Sequence, residues 1–271
     1  MVASSQSGHP GGSLGAVELM AVLYFERLRH RPDEPDWEER DRFVLSNGHI
    51  CPVLYACLAR TGYFPAEELL TFRRIGSRLQ GHPSRVDLPG IETSSGPLGQ
   101  GLSIAVGMAL GARMARRASR VYCLVGDGEM QEGQFWEAAM TAGHYRIDGL
   151  LLVVSDNGLQ IDGEVDKVKR LEPVADKLRA FGWAVESIDG HDVAAIRRAL
   201  DAGANRSGAP TAVIARTIMG KGVSFMENRS VWHGKAPTLE EARLALEEIG
   251  ASPAFSDLPF DPVPEGARAD A

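Results

Sequence analysis

The sequence has few cysteines and no long apolar stretch, and both absences narrow the class of protein. Its 271 residues include only Cys51, Cys57 and Cys123, an odd number whose spacing does not match a metal site. No run of eighteen apolar residues occurs, and residues 1–6 do not resemble a signal peptide. We therefore expect a soluble, cytoplasmic protein whose thiols stay reduced.

The chain also has fewer basic than acidic residues. Lysine and arginine number 29 against 36 aspartates and glutamates, and the formal net charge is -7. A chain of this charge does not attract nucleic acid or anionic membranes as a whole, so we expect neither as a partner. An anionic ligand would need a local helix N-terminus, a metal ion or a basic loop.

The second half of the chain alternates short apolar runs with helical patterns. Such alternation indicates βαβ units and a parallel sheet with helices on both faces, an α/β fold. The predicted strands are residues 121–125, 150–154, 183–188 and 211–215, and the predicted helices are 134–145, 174–181 and 193–202.

The first half is more helical. Ser13 should cap a helix over 14–28, and the small residues of a helix over 102–115 predict that this helix is buried. Thr238 and Glu241 form a predicted capping box for a helix that stops at Gly250. We expect one domain over residues 1–250. Residues 251–271, rich in proline, alanine and aspartate, should form a flexible tail.

Two polar residues follow two successive predicted strands. The segment Gly126-Asp127-Gly128 comes directly after the strand at 121–125, and Asn157 follows the strand at 150–154. The carboxyl ends of parallel strands meet at one edge of a sheet, so the two side chains should face each other there. Their oxygens, together with phosphate oxygens, suit Mg²⁺. Gly126 and Gly128 would let a diphosphate approach backbone N–H groups.

A lone Gly-Asp-Gly is more often a plain turn after a strand than a ligand site. The later Asn157 makes a ligand site the favoured interpretation, because Gly-Asp-Gly followed by this asparagine resembles the thiamine diphosphate signature. The longer segment 126–138 resembles transketolase, whereas the oxo-acid dehydrogenases vary in this segment. Five further segments are similar to transketolases, namely 7–12, 45–49, 80–83, 96–101 and 232–234. The resemblance implies a thiamine diphosphate-binding fold of the diphosphate-binding type.

Four of the seven histidines lie beside glycine or proline in predicted loops: His9, His49, His82 and His233. Each alone could be a turn residue with a backbone hydrogen bond, but four of them beside a metal site suggest one polar pocket. In transketolases the matching histidines bind ketose hydroxyls and move protons, and the resemblance implies these roles here. We expect His30 to face solvent, His144 to pack and His191 to be structural.

The resemblance also implies the ligand contacts. Magnesium, or calcium or manganese in its place, would be held by Asp127, Asn157 and the Leu159 carbonyl. Thiamine diphosphate would contact Gly96, Leu98, Gly126, Asp127, Gly128 and Asn157.

Two charged residues keep two interpretations each. Glu132 either favours the first turn of the next helix or belongs to an interface proton path, and the resemblance favours the second. Lys221 is either a phosphate-facing cation or a surface lysine.

The transketolase pattern includes a second, pyrimidine-binding domain that does not follow Gly250 in this sequence. The resemblance therefore implies either a fragment or the N-terminal subunit of a split transketolase, and we favour the subunit. Such a subunit would pair with a separate C-terminal subunit in a dimer of heterodimers. Its substrates would be sugars or sugar phosphates, between which it moves a two-carbon ketol unit. The alternatives are an acyloin-forming or 2-oxo acid decarboxylating enzyme and a non-catalytic paralogue.

Overall fold

A computed structural model describes residues 1–250, so the predicted tail at 251–271 lies outside the described residues. Its centre is a parallel sheet of five strands in the order β1-β2-β3-β7-β6. The strands are β1 Arg42–Leu45, β2 Val121–Gly126, β3 Leu150–Asp156, β6 Ala184–Asp189 and β7 Thr211–Arg216. Two short strands, β4 Leu159–Gln160 and β5 Gly163–Glu164, form a separate antiparallel pair.

Ten α-helices occur in residues 1–250. They are α1 Val2–Ser5, α2 Pro10–Gly15, α3 Val17–Val22, α4 Cys51–Thr61, α5 Gly101–Met114, α6 Gly133–His144, α7 Val165–Lys169, α8 Val174–Ala180, α9 Val193–Ala204 and α10 Leu239–Glu248. No helix in this part of the chain is both long and apolar enough to span a lipid bilayer.

Helices cover both faces of the sheet because successive strand residues point to opposite sides. Tyr122 and Leu124 of β2 pack in one apolar cluster with residues of α3, α4 and α9. Val121, Cys123 and Val125 pack in a second cluster with α5, α6 and α8. The predicted α/β class is confirmed, as are the buried strands β2, β3 and β7. The strand β6 is present, but it lies at the sheet edge and is only partly buried.

The predicted single helix over 14–28 is wrong. The chain forms α2, then α3, and then a π-helical turn over Leu23–Arg27. Ser13 is not a cap but lies inside α2, where its hydroxyl donates to the His9 carbonyl at 2.7 Å. The break follows Gly15, which is so close to another segment that an added Cβ would lie 2.7 Å from the Ile218 carbonyl oxygen.

The small-residue helix α5 is only partly buried. Ala105 and Ala109 are buried, whereas Gly107 and Gly111 are exposed, so the prediction of a buried helix is wrong for that face. The capping box at Thr238 and Glu241 is present as predicted.

Candidate functional site

The carboxyl ends of β2 and β3 bring Asp127 and Asn157 to the same edge of the sheet. The two strands are neighbours, with Gly126 opposite Ser155. One Asp127 carboxylate oxygen accepts from the Gly128 N–H at 2.9 Å and the other from the Gly158 N–H at 2.5 Å. The Asn157 amide oxygen accepts from the Leu159 N–H at 2.9 Å. Each oxygen thus takes one backbone hydrogen bond and keeps a further lone pair.

The Asp127 carboxyl is strongly buried, with 5% exposure. Burial is the main cause that raises its pKa to about 7, and the nearby Asp156 adds to the effect. A bound cation would favour the carboxylate form. No cluster of three or more histidine, cysteine, aspartate or glutamate residues suited to a metal occurs within residues 1–250. One carboxylate with amide and carbonyl oxygens fits a hard cation that takes its other ligands from phosphates.

The four loop histidines form one cluster. The ring centroid of His9 lies 5.2 Å from that of His49, 6.4 Å from that of His82 and 5.6 Å from that of His233. The centroids of His49 and His233 are 4.9 Å apart. These residues come from four separate segments: the start of α2, the 3₁₀ turn after β1, the loop before α5 and the 3₁₀ turn over Ser230–His233.

Burial keeps this cluster neutral. It is the first cause that lowers the pKa of His9 to about 4 and the pKa of His49 to about 3, and neighbouring histidines contribute in both cases. The pKa of His82 and that of His233 are lowered in the same direction, again first by burial. Four neutral imidazoles can both donate and accept hydrogen bonds, which suits binding of sugar hydroxyls.

All twelve predicted site residues line one cavity of about 360 Å³. They are His9, His49, His82, Gly96, Leu98, Gly126, Asp127, Gly128, Glu132, Asn157, Leu159 and His233. The structure therefore brings the predicted metal edge and the predicted histidine cluster together. Their individual roles stay predictions.

Sequence reasoning missed Glu129, a buried residue that also lines this cavity. Its carboxylate accepts from the Ser46 hydroxyl, from the Gly99 N–H at 2.9 Å and from the Gly126 N–H at 3.1 Å. The Ser46 oxygen in turn accepts from the Gly101 N–H at 3.0 Å. These bonds join the loop before α5 to the end of β2. Glutamate is so often exposed that its sequence position carried no sign of this role.

Three cavity-lining side chains have a buried polar atom without a hydrogen-bond partner in residues 1–250: His9 Nδ1, Asn47 Oδ1 and Gln160 Oε1. Burying such a group without a partner costs about 1–3 kcal/mol. These unpartnered atoms favour a polar ligand in the cavity, because such a ligand could supply the missing hydrogen bonds. Asn47 belongs to the segment at 45–49 that resembles transketolase, but its neighbour His49 was the only residue of that segment given a role.

Glu132, Lys221 and His191 are placed differently with respect to the cavity. Glu132 is exposed, precedes α6 and also lines the cavity, so it is placed for both of its interpretations. Lys221 lies 3.7 Å from a Glu227 carboxylate oxygen, and it is not among the cavity-lining residues. His191 Nε2 accepts from the Ile218 N–H at 2.9 Å, in keeping with its expected structural position.

The expectations for two other histidines are wrong. His30 is packed, because its Nε2 lies 3.0 Å from the Tyr24 carbonyl oxygen and its ring stacks on Tyr63. His144 is exposed at the end of α6, although Ala142 in the same turn is buried.

The chain matches the family described as "Transketolase, thiamine diphosphate binding domain" over residues 1–261. It is 46% identical over 242 residues to the 6-deoxy-6-sulfo-D-fructose transketolase subunit SqwG of Clostridium sp. (strain MSTE9), covering 89% of this chain and 88% of the relative. It is 39% identical over 249 residues to an apulose-4-phosphate transketolase subunit of Phocaeicola vulgatus, covering 92% of this chain and 88% of that protein.

A solved structure is also similar. The crystal structure of transketolase from Campylobacter jejuni matches with a TM-score of 0.89 and 35% sequence identity. The match covers 98% of this chain and 42% of the transketolase chain, so this chain spans about two fifths of that enzyme.

Proposed function

The chain belongs to the transketolase family, and we propose that it is the thiamine diphosphate-binding subunit of a two-chain transketolase. In this proposal the assembly transfers a two-carbon ketol unit from a ketose to an aldose acceptor, and a separate pyrimidine-binding subunit completes the site. The two relatives named as subunits support this proposal, because each is covered over 88% of its own length. A dimer of heterodimers and a cytoplasmic location belong to the same proposal.

The observation that carries the proposal is the single cavity shared by the sheet edge and the histidine cluster. Asp127, Asn157 and the Leu159 carbonyl would hold Mg²⁺, for which Ca²⁺ or Mn²⁺ could substitute. Gly126, Gly128 and the loop before α5 would line the cofactor. When bound, thiamine diphosphate supplies a carbanion that attacks a carbonyl group and a ring that takes up electrons.

The four histidines would act on the sugar. Their neutral rings can accept a proton from one hydroxyl and donate to another, and the other three ring centroids lie within 7 Å of that of His9. Glu132, exposed at the edge of the cavity, would face the pyrimidine-binding chain and pass protons there.

The test measures whether the chain assembles with a partner and which donor substrate the assembly turns over. The chain is purified with its co-expressed partner, Mg²⁺ and thiamine diphosphate, and native mass spectrometry should show a second protein and bound cofactor. Turnover of a ketose or ketose phosphate is the expected activity. Turnover of a 2-oxo acid alone would replace the proposal with the decarboxylating alternative. A cofactor-free chain without a partner would favour the non-catalytic one.

A further inference from the structure

One arginine side chain joins two of the histidine-bearing loops. The Arg73 guanidinium donates from Nη1 to the Ser7 hydroxyl at 2.7 Å and from Nη2 to the Gly81 carbonyl oxygen at 3.1 Å. Ser7 lies two residues before His9, and Gly81 directly precedes His82. A forked guanidinium of this kind fixes the separation of its two acceptors better than a single donor would.

The backbone around Arg73 is shaped to direct this side chain inward. Arg73 has a φ of 59°, in the left-handed region that non-glycine residues rarely adopt. Its N–H donates to the Leu79 carbonyl at 3.0 Å, which closes the turn. A Cβ on Gly81 would lie 2.8 Å from Arg73 Nε, so the guanidinium occupies the space that a side chain at residue 81 would need.

The Arg73 charge has no carboxylate partner within residues 1–250. Its hydrogen bonds go to neutral oxygens, whereas nearby Arg78 pairs with Glu68. An uncompensated cation disfavours a second positive charge nearby. After burial and the neighbouring His233, Arg73 is the next cause that lowers the pKa of His9. After burial, it is also the next cause that lowers the pKa of His82.

We propose that Arg73 is a positioning residue of the transketolase site, which fixes the separation of the His9 and His82 loops and disfavours a positive charge on either imidazole. A neutral imidazole offers one donor and one acceptor, whereas the protonated ring can only donate. Arg73 thus adds to burial in favouring the neutral rings, which have an acceptor nitrogen. The role in sugar chemistry rests on the proposed function, but the geometry and the charge effect do not.

The first test uses the full chain without cofactor. Ring signals of His9 and His82 are titrated by NMR in the native chain, in Arg73→Gln and in the control Arg74→Gln. Arg74 is the exposed neighbour and has no side-chain bond to either histidine loop. In Arg73→Gln the pKa of His9 should rise by about half a unit or more, with His82 moving in the same direction. Identical titrations in the two variants would overturn the proposal.

Gly81→Ala displaces the guanidinium without removing its charge, and Arg73→Lys keeps the charge without the fork. In both variants the pKa of His9 and that of His82 should stay close to their native values, whereas the chemical shifts of the two rings should change. This result would separate the charge effect from the geometric one. If Arg73→Gln fails to fold, these two variants carry the test, and native ring signals in both would contradict the proposed fixation.

The second test uses the assembled enzyme. Arg73→Lys should lower kcat by about tenfold or more with a smaller change in KM, because proton transfer suffers more than sugar binding. Arg74→Gln should leave both constants near those of the native assembly. An equal loss in Arg73→Lys and Arg74→Gln would contradict the role of Arg73. Absence of ketose turnover in the native assembly would instead remove the proposed function and leave the NMR result standing.

Discussion

His49 has a pKa of about 3 in the folded chain, chiefly because of burial. Its pKa in the unfolded chain is about 6.5, so the unfolded state takes up a proton first as the pH falls. The free energy of unfolding should therefore decrease from about pH 6.5 down toward the folded pKa. From pH 7 to pH 5 this one group should cost about 2 kcal/mol.

Urea unfolding of the full chain at pH 7, 6 and 5 checks this prediction. His49→Gln removes the titrating group, so its stability should fall less steeply over this range than that of the native chain. Parallel pH curves for the two proteins would show that His49 titrates equally in both states.

Asn47 is a buried residue whose side-chain oxygen has no hydrogen-bond partner within residues 1–250. It is 4% exposed, and its amide makes no hydrogen bond to the described part of the chain. Asn47→Leu should leave the unfolding free energy of the cofactor-free chain unchanged or raise it by about 1 kcal/mol. The same change should weaken thiamine diphosphate binding to the assembly by about tenfold or more. Calorimetric titration measures the binding, and a loss of stability without a loss of affinity would assign Asn47 to folding.

The twelve predicted site residues came from the sequence in two ways: Asp127 and Asn157 from their places after apolar strands, and most of the others from the resemblance to transketolases. Asp127 follows a continuous apolar strand, and such a strand places the next residue at the sheet edge. Glu129, Arg73 and Asn47 could not be chosen in this way. Glu129 and Arg73 depend on hydroxyl partners 83 and 66 residues away in the sequence, and Asn47 matters through the lack of a partner. Local patterns encode none of these features.

At the scale of elements, the short strands and the helix break could not be predicted from local sequence patterns. The strands β2, β3, β6 and β7 were recognisable from apolar runs, but β1 has only four residues. The pair β4–β5 has two residues in each strand, too short for any periodicity. The helix predicted over 14–28 breaks where Gly15 meets the Ile218 carbonyl, a contact from a segment about 200 residues later.

Because Gly15 lies so close to the Ile218 carbonyl, adding a single methyl group at this position should destabilise the fold. Gly15→Ala would place its Cβ 2.7 Å from a backbone oxygen that cannot move aside easily. Such overpacking should lower the free energy of unfolding by about 1–3 kcal/mol. The cavity should be disturbed too, because α2 begins directly after His9.

Gly107→Ala is the matched control, since a Cβ on this exposed glycine of α5 has no atom within 4 Å. It should stabilise the isolated chain by about 0.5–1 kcal/mol through helix propensity. Chemical denaturation of both variants separates the effects. Equal stability of the two would show that the approach at Gly15 relaxes without cost.

At the scale of the whole molecule, the net charge of -7 opposes an anionic ligand, so local devices must bind it. The sheet edge adds a buried carboxylate at Asp127 to this unfavourable field. A divalent cation would offset both, which makes cofactor binding depend on metal in the proposed assembly. Magnesium and thiamine diphosphate should therefore stabilise the assembly only together.

Thermal unfolding of the two-chain assembly tests this dependence. Each ligand alone should change Tm little, whereas both at about 100 times Kd should add about 2.7 kcal/mol of stability, which chelation by EDTA reverses. Asp127→Asn should lose the joint effect, because an amide keeps the shape of the side chain and loses its charge. Asp176→Asn is the control, since that exposed carboxylate lies 2.9 Å from Arg179 and is not among the residues that line the cavity. A Tm increase by thiamine diphosphate that survives EDTA, or one retained in Asp127→Asn, would place the metal elsewhere or remove it from the site.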